Sequence, residues 1–161
     1  MVFTGEYEHT IDAKNRLSIP SEIRGQMRAE LCRGDDMPIS LYVTLGESRS
    51  LCLYSEQGFQ DRAEELKNSD ADPDQLLAFE GLWFSLARRV ELDSAGRLRL
   101  PDNLLRRSDL GAAVMLLGMN DHMEIRDRDM WKAYVDQVLA QQQQNLMNPR
   151  RAMRRARGPG T

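Results

Sequence analysis

A chain of 161 residues, 41% of them hydrophobic, has apolar mass for one moderate core or for two small ones that lean on each other. Its net charge of −3 excludes an overall basic polyelectrolyte, and no apolar run approaches the roughly 20 residues of a membrane-spanning helix. Met1 to Thr10 is too polar for a secretion signal, which makes the cytoplasm the expected location.

In chain order, the first feature is a period-two pattern folded about a loop that reads as a hairpin turn. Ile11 precedes the segment Asp12-Ala-Lys14-Asn15-Arg16, and Leu17 and Ile19 follow it on one face of an expected strand. Asn15 tolerates the positive φ that such turns require. Pro20 stops the strand, and Ser21 opens a short helix with Ile23 and Met27 inward. A strand pair follows, Ser40 to Thr44 and Leu51 to Tyr54, around the polar turn Gly46 to Arg49. Ser55 is the expected N-cap of an amphipathic helix with Phe59, Ala63 and Leu66 on one side. Pro73 begins another, carrying Leu76, Phe79, Leu82, Trp83 and Leu86 and expected to pack near the junction with the segment that follows.

The pattern then starts again. Leu92-Asp93-Ser-Ala95-Gly96-Arg97-Leu98-Arg99-Leu100-Pro101 aligns without gaps on Ile11 to Pro20 at an offset of 81. Gly96 replaces Asn15 at the position that needs positive φ, which is physical support for the repeat. Asp102 opens the second short helix, with Leu104 and Leu105 inward. The strands Ala113 to Leu117 and Met123 to Arg126 follow, around the turn Gly118 to Asp121. Asp127 then precedes a helix with Trp131, Tyr134, Val135 and Val138, and the offset from Leu53 to Ile125 has fallen to 72. The helices bearing Trp83, Trp131 and Tyr134 are expected to be core or subunit interface. After the run Gln141 to Gln144 the composition turns basic: Arg150, Arg151, Arg154, Arg155 and Arg157 contribute +5, leaving −8 on residues 1–149. The end of the chain is therefore expected to be a fraying helix and a disordered basic tail.

Catalysis finds little support. His9 and His122 are the only histidines, and neither stands in a metal-ligand spacing. No phosphate-binding glycine loop or nucleophile elbow occurs. Cys32 and Cys52 lie in hydrophobic segments without close spacing, so they are expected to be buried thiols, with no metal, cofactor or disulfide implied.

The two Asp-x-x-x-Arg segments, their order, and Gly5 near the N-terminus resemble the MraZ family over nearly the whole chain. That resemblance implies an α+β fold of two tandem AbrB-like units, swapped-hairpin and double-psi-like, with peripheral helices. On this chain it implies a first unit at 4–57, a helical connection at 58–86, a second unit at 87–130, and a C-terminal helix with its basic tail at 131–161. It further implies a nucleoid-associated, sequence-specific regulator of transcription, acting as a repressor of the division and cell-wall gene cluster and of its own promoter. Its partners would be short direct repeats in double-stranded DNA and further copies of itself in a homo-oligomeric ring, with no membrane and no small-molecule substrate. Carried over, the DNA-binding residues are Lys14, Arg16 and Arg97. Asp12, Asn15, Asp93 and Gly96 support the turns, and Arg99 with Arg150, Arg151, Arg154, Arg155 and Arg157 are accessory contacts. Two positions depart from the pattern: Asn15 stands where glycine is usual, and Ala95 stands where the first copy has Lys14. The alternative is an antitoxin-like or other protein-interaction module of the same fold. An Asp–Arg salt bridge that only stabilises the turn is the plainest alternative for the motif itself.

Overall fold

The computed structural model describes residues 1–31 and 38–142, and Cys32 and the arginines of 150–157 lie outside them. Within residues 1–128 the strands are β1 (Glu6–Thr10), β2 (Arg16–Ser18), β3 (Ser40–Leu45), β4 (Leu51–Ser55), β5 (Arg88–Glu91), β6 (Arg97–Arg99), β7 (Ala113–Gly118) and β8 (Met123–Asp127). The helices are α1 (Ser21–Leu31), α2 (Glu56–Lys67), α3 (Pro73–Leu86) and α4 (Asp102–Arg107). A fifth helix, α5 (Arg128–Gln142), belongs almost wholly to a separate compact unit that begins at Asp129, and it exposes Met130, Tyr134 and Leu139. Among the described residues, no helix is long and apolar enough to cross a membrane.

The expected elements form where composition places them. Ser55 caps α2 by accepting a hydrogen bond from the Gly58 N–H at 3.0 Å, and Asp72 caps α3 with Pro73 in the first turn. The turn Gly46 to Arg49 tightens into a single 3-10 turn at Glu47–Arg49, and Asn120 takes φ of 72° in the corresponding turn of the second half.

Strand pairing joins the two copies instead of closing each on itself. The large sheet runs β1-β7-β8-β4-β3-β5, all neighbours antiparallel. β1 of the first copy lies on β7 of the second, and β5 of the second lies on β3 of the first. At the centre β4 meets β8, with Cys52 opposite Glu124. A separate two-stranded ribbon pairs β2 with β6, with Leu17 opposite Leu98. Both registers are symmetric under exchange of the copies, since Leu17 and Leu98 correspond at the offset of 81 and Cys52 and Glu124 at that of 72. The arrangement is thus an intramolecular pseudo-dyad. The Asp-x-x-x-Arg segment turns tightly but does not close the expected hairpin, because β1 and β2 part after the turn and each finds its partner strand in the other copy: β1 enters the large sheet and β2 the ribbon.

Alternation along the central strands makes two cores. One face of the sheet buries Leu41, Val43, Leu51, Leu53, Val114, Leu116, Met123 and Ile125 against Leu17, Leu98 and Leu100 of the ribbon segments and against Ile23, Met27 and Leu104 of α1 and α4. The opposite face packs Cys52 and Tyr54 against Trp83 of α3, with Tyr42, Phe59 and Leu66 partly buried around them. Phe59 stacks between Tyr42 and Trp83, with ring centroids at 4.3 and 4.7 Å. Only Trp83 and Leu86 of the expected α3 set are buried; Phe79 and Leu82 remain 48% and 58% exposed. The physical reason is that α3 is apolar on more than one side, so the side packed on β3, Tyr54 and Phe59 leaves the rest uncovered.

Because Leu17 and Leu98 are fully buried across the dyad, Leu17→Ala and Leu98→Ala should each destabilise the fold by about 2–5 kcal/mol, whereas the cap variant Ser55→Ala should cost about 1 kcal/mol. Urea denaturation followed by circular dichroism checks the ranking.

Candidate nucleic-acid interface

Each Asp-x-x-x-Arg turn is built by its aspartate. Asp12 Oδ1 accepts the backbone N–H groups of Lys14 and Arg16, both at 2.9 Å, and Oδ2 accepts Arg16 Nε at 2.7 Å. Asp93 repeats the arrangement, taking Ala95 N–H at 3.0 Å, Arg97 N–H at 2.9 Å and Arg97 Nε at 2.8 Å. Main-chain bonds from Asn15 to Asp12 and from Gly96 to Asp93, each 2.9 Å, close the turns. Asn15 and Gly96 hold φ of 58° and 74°, the left-handed region expected of that position.

These donors hold both carboxyls below the usual carboxylate range. The leading cause at Asp12 is the backbone hydrogen bond from Arg16, and at Asp93 the one from Arg97; side-chain bonds to the same arginines add to it against partial desolvation. The salt bridge is therefore real, as the plain structural reading requires, and it also leaves the arginine usable. Only Nε of Arg16 and of Arg97 is engaged among the described residues, so the aspartate orients each guanidinium while its two terminal nitrogens stay unpaired.

The ribbon brings the arginines together. Leu17 and Leu98 point into the core, so the alternation of a strand turns Arg16, Ser18, Arg97 and Arg99 to the other face. Arg16 is the direct cross-strand partner of Arg99, and Ser18 of Arg97. The two turns are tied as well: Leu100 N–H donates to Asn15 O at 2.7 Å, and Ile19 N–H donates to Gly96 O at 3.0 Å. Lys14 is exposed and has no ion-pair partner among the described residues. The structure thus gathers Lys14, Arg16, Arg97 and Arg99 about one ribbon, with Asp12, Asn15, Asp93 and Gly96 holding its ends.

Two features escape the sequence. Asn15 Nδ2 donates to Asp102 Oδ1 of the other copy at 2.6 Å, a bond that the symmetric Gly96 and Ser21 cannot make. Arg24 lies over Gly96, where an added β-carbon would come within 2.6 Å of its guanidinium carbon, while its Nε donates to Ile19 O. Arg24 carried no signal, because an arginine in a short amphipathic helix reads as ordinary surface charge.

A family model described as "MraZ protein, putative antitoxin-like" matches residues 2–79 and matches again at 83–155. The chain belongs to the MraZ family. The two consecutive matches coincide with the two copies of the Asp-x-x-x-Arg turn, one in each. The chain is similar to the protein named transcriptional regulator MraZ of Moorella thermoacetica, with 32% identity over 133 residues that cover 83% of this chain and 86% of that protein. It is similar also to those of Alkaliphilus metalliredigens, at 34% over 135 residues (84% and 87%), and Limosilactobacillus fermentum, at 34% over 140 residues (84% and 87%). By these names MraZ is a family of transcriptional regulators and not of enzymes.

The lowered carboxyls give the turns a defined acid response. An unfolded aspartate ionises near pH 4, and the folded Asp12 and Asp93 ionise lower, so their contribution to stability is complete above about pH 4 and is lost as pH falls through the depressed values. The stability difference between wild type and Asp12→Asn with Asp93→Asn should therefore be flat from pH 7 to 5 and shrink below about pH 4. Thermal melts across that range test it, and a difference that stays flat below about pH 4 would show that the turns draw nothing from these charges.

Proposed function

We propose that this chain is a sequence-specific DNA-binding regulator of transcription that reads DNA with the β2–β6 ribbon. The observation that carries the reading is the convergence of Arg16, Arg97 and Arg99 on one outward face, with two of the three guanidinium groups held at Nε by an aspartate. A two-stranded ribbon fits the major groove, and an arginine with two free terminal nitrogens matches the O6 and N7 acceptors of guanine. Lys14 adds phosphate attraction on the first turn only, since Ala95 occupies its place on the second. The basic tail at 150–157, outside the described residues, supplements that attraction without selecting sequence.

We read the strand exchange between copies as the AbrB-like swapped-hairpin arrangement, with 4–57 and 87–130 as its halves, 58–86 as the connection and 131–161 as helix and tail. One ribbon offers few cationic contacts, and salt would weaken it steeply. A homo-oligomeric ring answers this by presenting ribbons at the spacing of short direct repeats, which raises effective concentration. The exposed Leu77, Phe79, Leu82 and Phe84 of α3 support self-association, being a concentration of apolar side chains unusual on a monomer. Family membership supports the division and cell-wall gene cluster, its own promoter included, as the target, with repression as the outcome, in the cytoplasm at the nucleoid. The antitoxin-like wording of the family model favours one other reading, a protein-interaction module.

Fluorescence-anisotropy titration against the chain's own upstream region and a scrambled duplex, over a range of salt, separates them. Arg16→Ala, Arg97→Ala and Arg99→Ala should each reduce the preference for the native duplex by about 1–3 kcal/mol where the contact is bidentate. Lys14→Ala should weaken both duplexes alike and lessen the salt slope by about 0.9. Absence of any preference, together with capture of a stable small protein partner, would favour the interaction module.

A further inference from the structure

The face of the sheet that turns away from the ribbon carries a cluster for which DNA recognition has no use. Cys52 of β4 and Glu124 of β8 face each other at the centre of the sheet, only 5% and 6% exposed. His122, which enters β8, adds its ring, and one ligand atom from each of Cys52, His122 and Glu124 lies within 4.8 Å of the others. Burying a thiol, an imidazole and a carboxylate side by side is costly unless they share something.

The surroundings orient the donors. His122 Nδ1 lies 2.8 Å from Asp121 Oδ1, and its Nε2 lies 3.3 Å from Glu124 Oε1. A carboxylate on Nδ1 fixes a proton there, and Nε2, which faces Glu124 and the cluster, would give up its own proton to a metal, the outer arrangement that ligating histidines use. Arg62 in turn holds Asp121, and the His122 ring is stacked on Tyr54 at 4.9 Å. Glu124 Oε2 accepts a hydrogen bond from Arg126 Nε at 2.6 Å, and Oε1 stays toward His122 and the cluster. A further polar group points the same way: the Ser50 hydroxyl, in a residue 3% exposed, is buried and has no hydrogen-bond partner among the described residues. A β-carbon placed on Gly46 would lie 2.6 Å from Ser50 Oγ and 2.5 Å from Cys52 Sγ, so both side chains converge over the bare Gly46 backbone.

We propose that Cys52, His122 and Glu124 bind a divalent transition metal of the zinc class, with a fourth position beside the Ser50 hydroxyl. Sulfur with imidazole nitrogen and one carboxylate oxygen suits zinc or cobalt and does not suit magnesium or calcium, which take oxygen. Tetrahedral zinc needs ligand atoms about 3.3–3.7 Å apart, so binding draws the three donors together by about 1 Å, a side-chain adjustment. A water in the fourth position would give the Ser50 hydroxyl its missing partner. The metal would tie β4 to β8, the join between the two copies at the middle of the sheet. Sequence spacing hides the site because its ligands come from strands that lie some 70 residues apart.

The test uses the full chain, stripped by chelator under reducing conditions and titrated with Co(II) and then Zn(II). One equivalent of Co(II) per chain, a thiolate-to-cobalt charge-transfer band, displacement by Zn(II) but not by Mg(II), and a higher melting temperature with zinc are expected. Cys52→Ser should abolish the band and the zinc-dependent melting shift, while Cys32→Ser keeps both. Asp121→Asn should lower metal affinity about 10–100-fold while the far-ultraviolet circular dichroism stays unchanged. Failure of the wild-type chain to take up a stoichiometric metal overturns the proposal. So does a charge-transfer band that disappears in Cys32→Ser, which would place the metal on the other thiol. Both of these measurements stand even if Cys52→Ser does not fold.

Discussion

Everything in this molecule depends on the exchange of strands across an internal pseudo-dyad. Neither copy owns a complete sheet: each lends its first strand to the other, and the ribbon strands pair only between copies. A three-residue strand such as Arg16–Ser18 has too few ladder bonds to stand alone. It persists because its central leucine, with the matching Leu98, is sealed from water against both α1 and α4. The ribbon's outward residues are thereby held by the same contact that closes the core. A substitution at Leu17 thus touches the fold and the candidate interface together.

The aspartates reconcile two competing demands. A salt bridge that spent the whole guanidinium would stabilise the turn and disarm the arginine. Here the carboxylate takes two backbone donors and Nε, which leaves the terminal nitrogens outward. The contact gives the arginine an orientation before it meets a ligand, so less side-chain entropy is lost on binding. The two turns are not equal partners. Lys14 has Ala95 as its counterpart in the repeat, and the Asn15–Asp102 bond has no mirror image, so the first turn is the more cationic and is held by a contact that the second lacks.

The two faces of the large sheet have separate duties. One is sealed by the ribbon and the short helices; the other is sealed by α2 and α3 and holds the Cys52–His122–Glu124 cluster. Period-two alternation is what makes this separation possible, since Leu51 and Leu53 go to one side while Cys52 and Tyr54 go to the other.

The sequence by itself determined the local elements and the repeat. The strands Ser40 to Thr44 and Met123 to Arg126 could be read because alternation, turn residues and caps act over a few residues. The role of Asp12 and Asn15 could be read for the same reason, since a tight turn is governed by its own φ angles and nearest donors. Tertiary structure alone decided which strands are neighbours, because β propensity says that a segment is extended and not whom it pairs with. It therefore decided that Arg99 faces Arg16, that Arg24 lies over Gly96, and that Leu77, Phe79, Leu82 and Phe84 of α3 stay partly or largely exposed. It also decided that Cys52 and Glu124, far apart in sequence and of different chemistry, occupy equivalent positions on the two sides of the dyad.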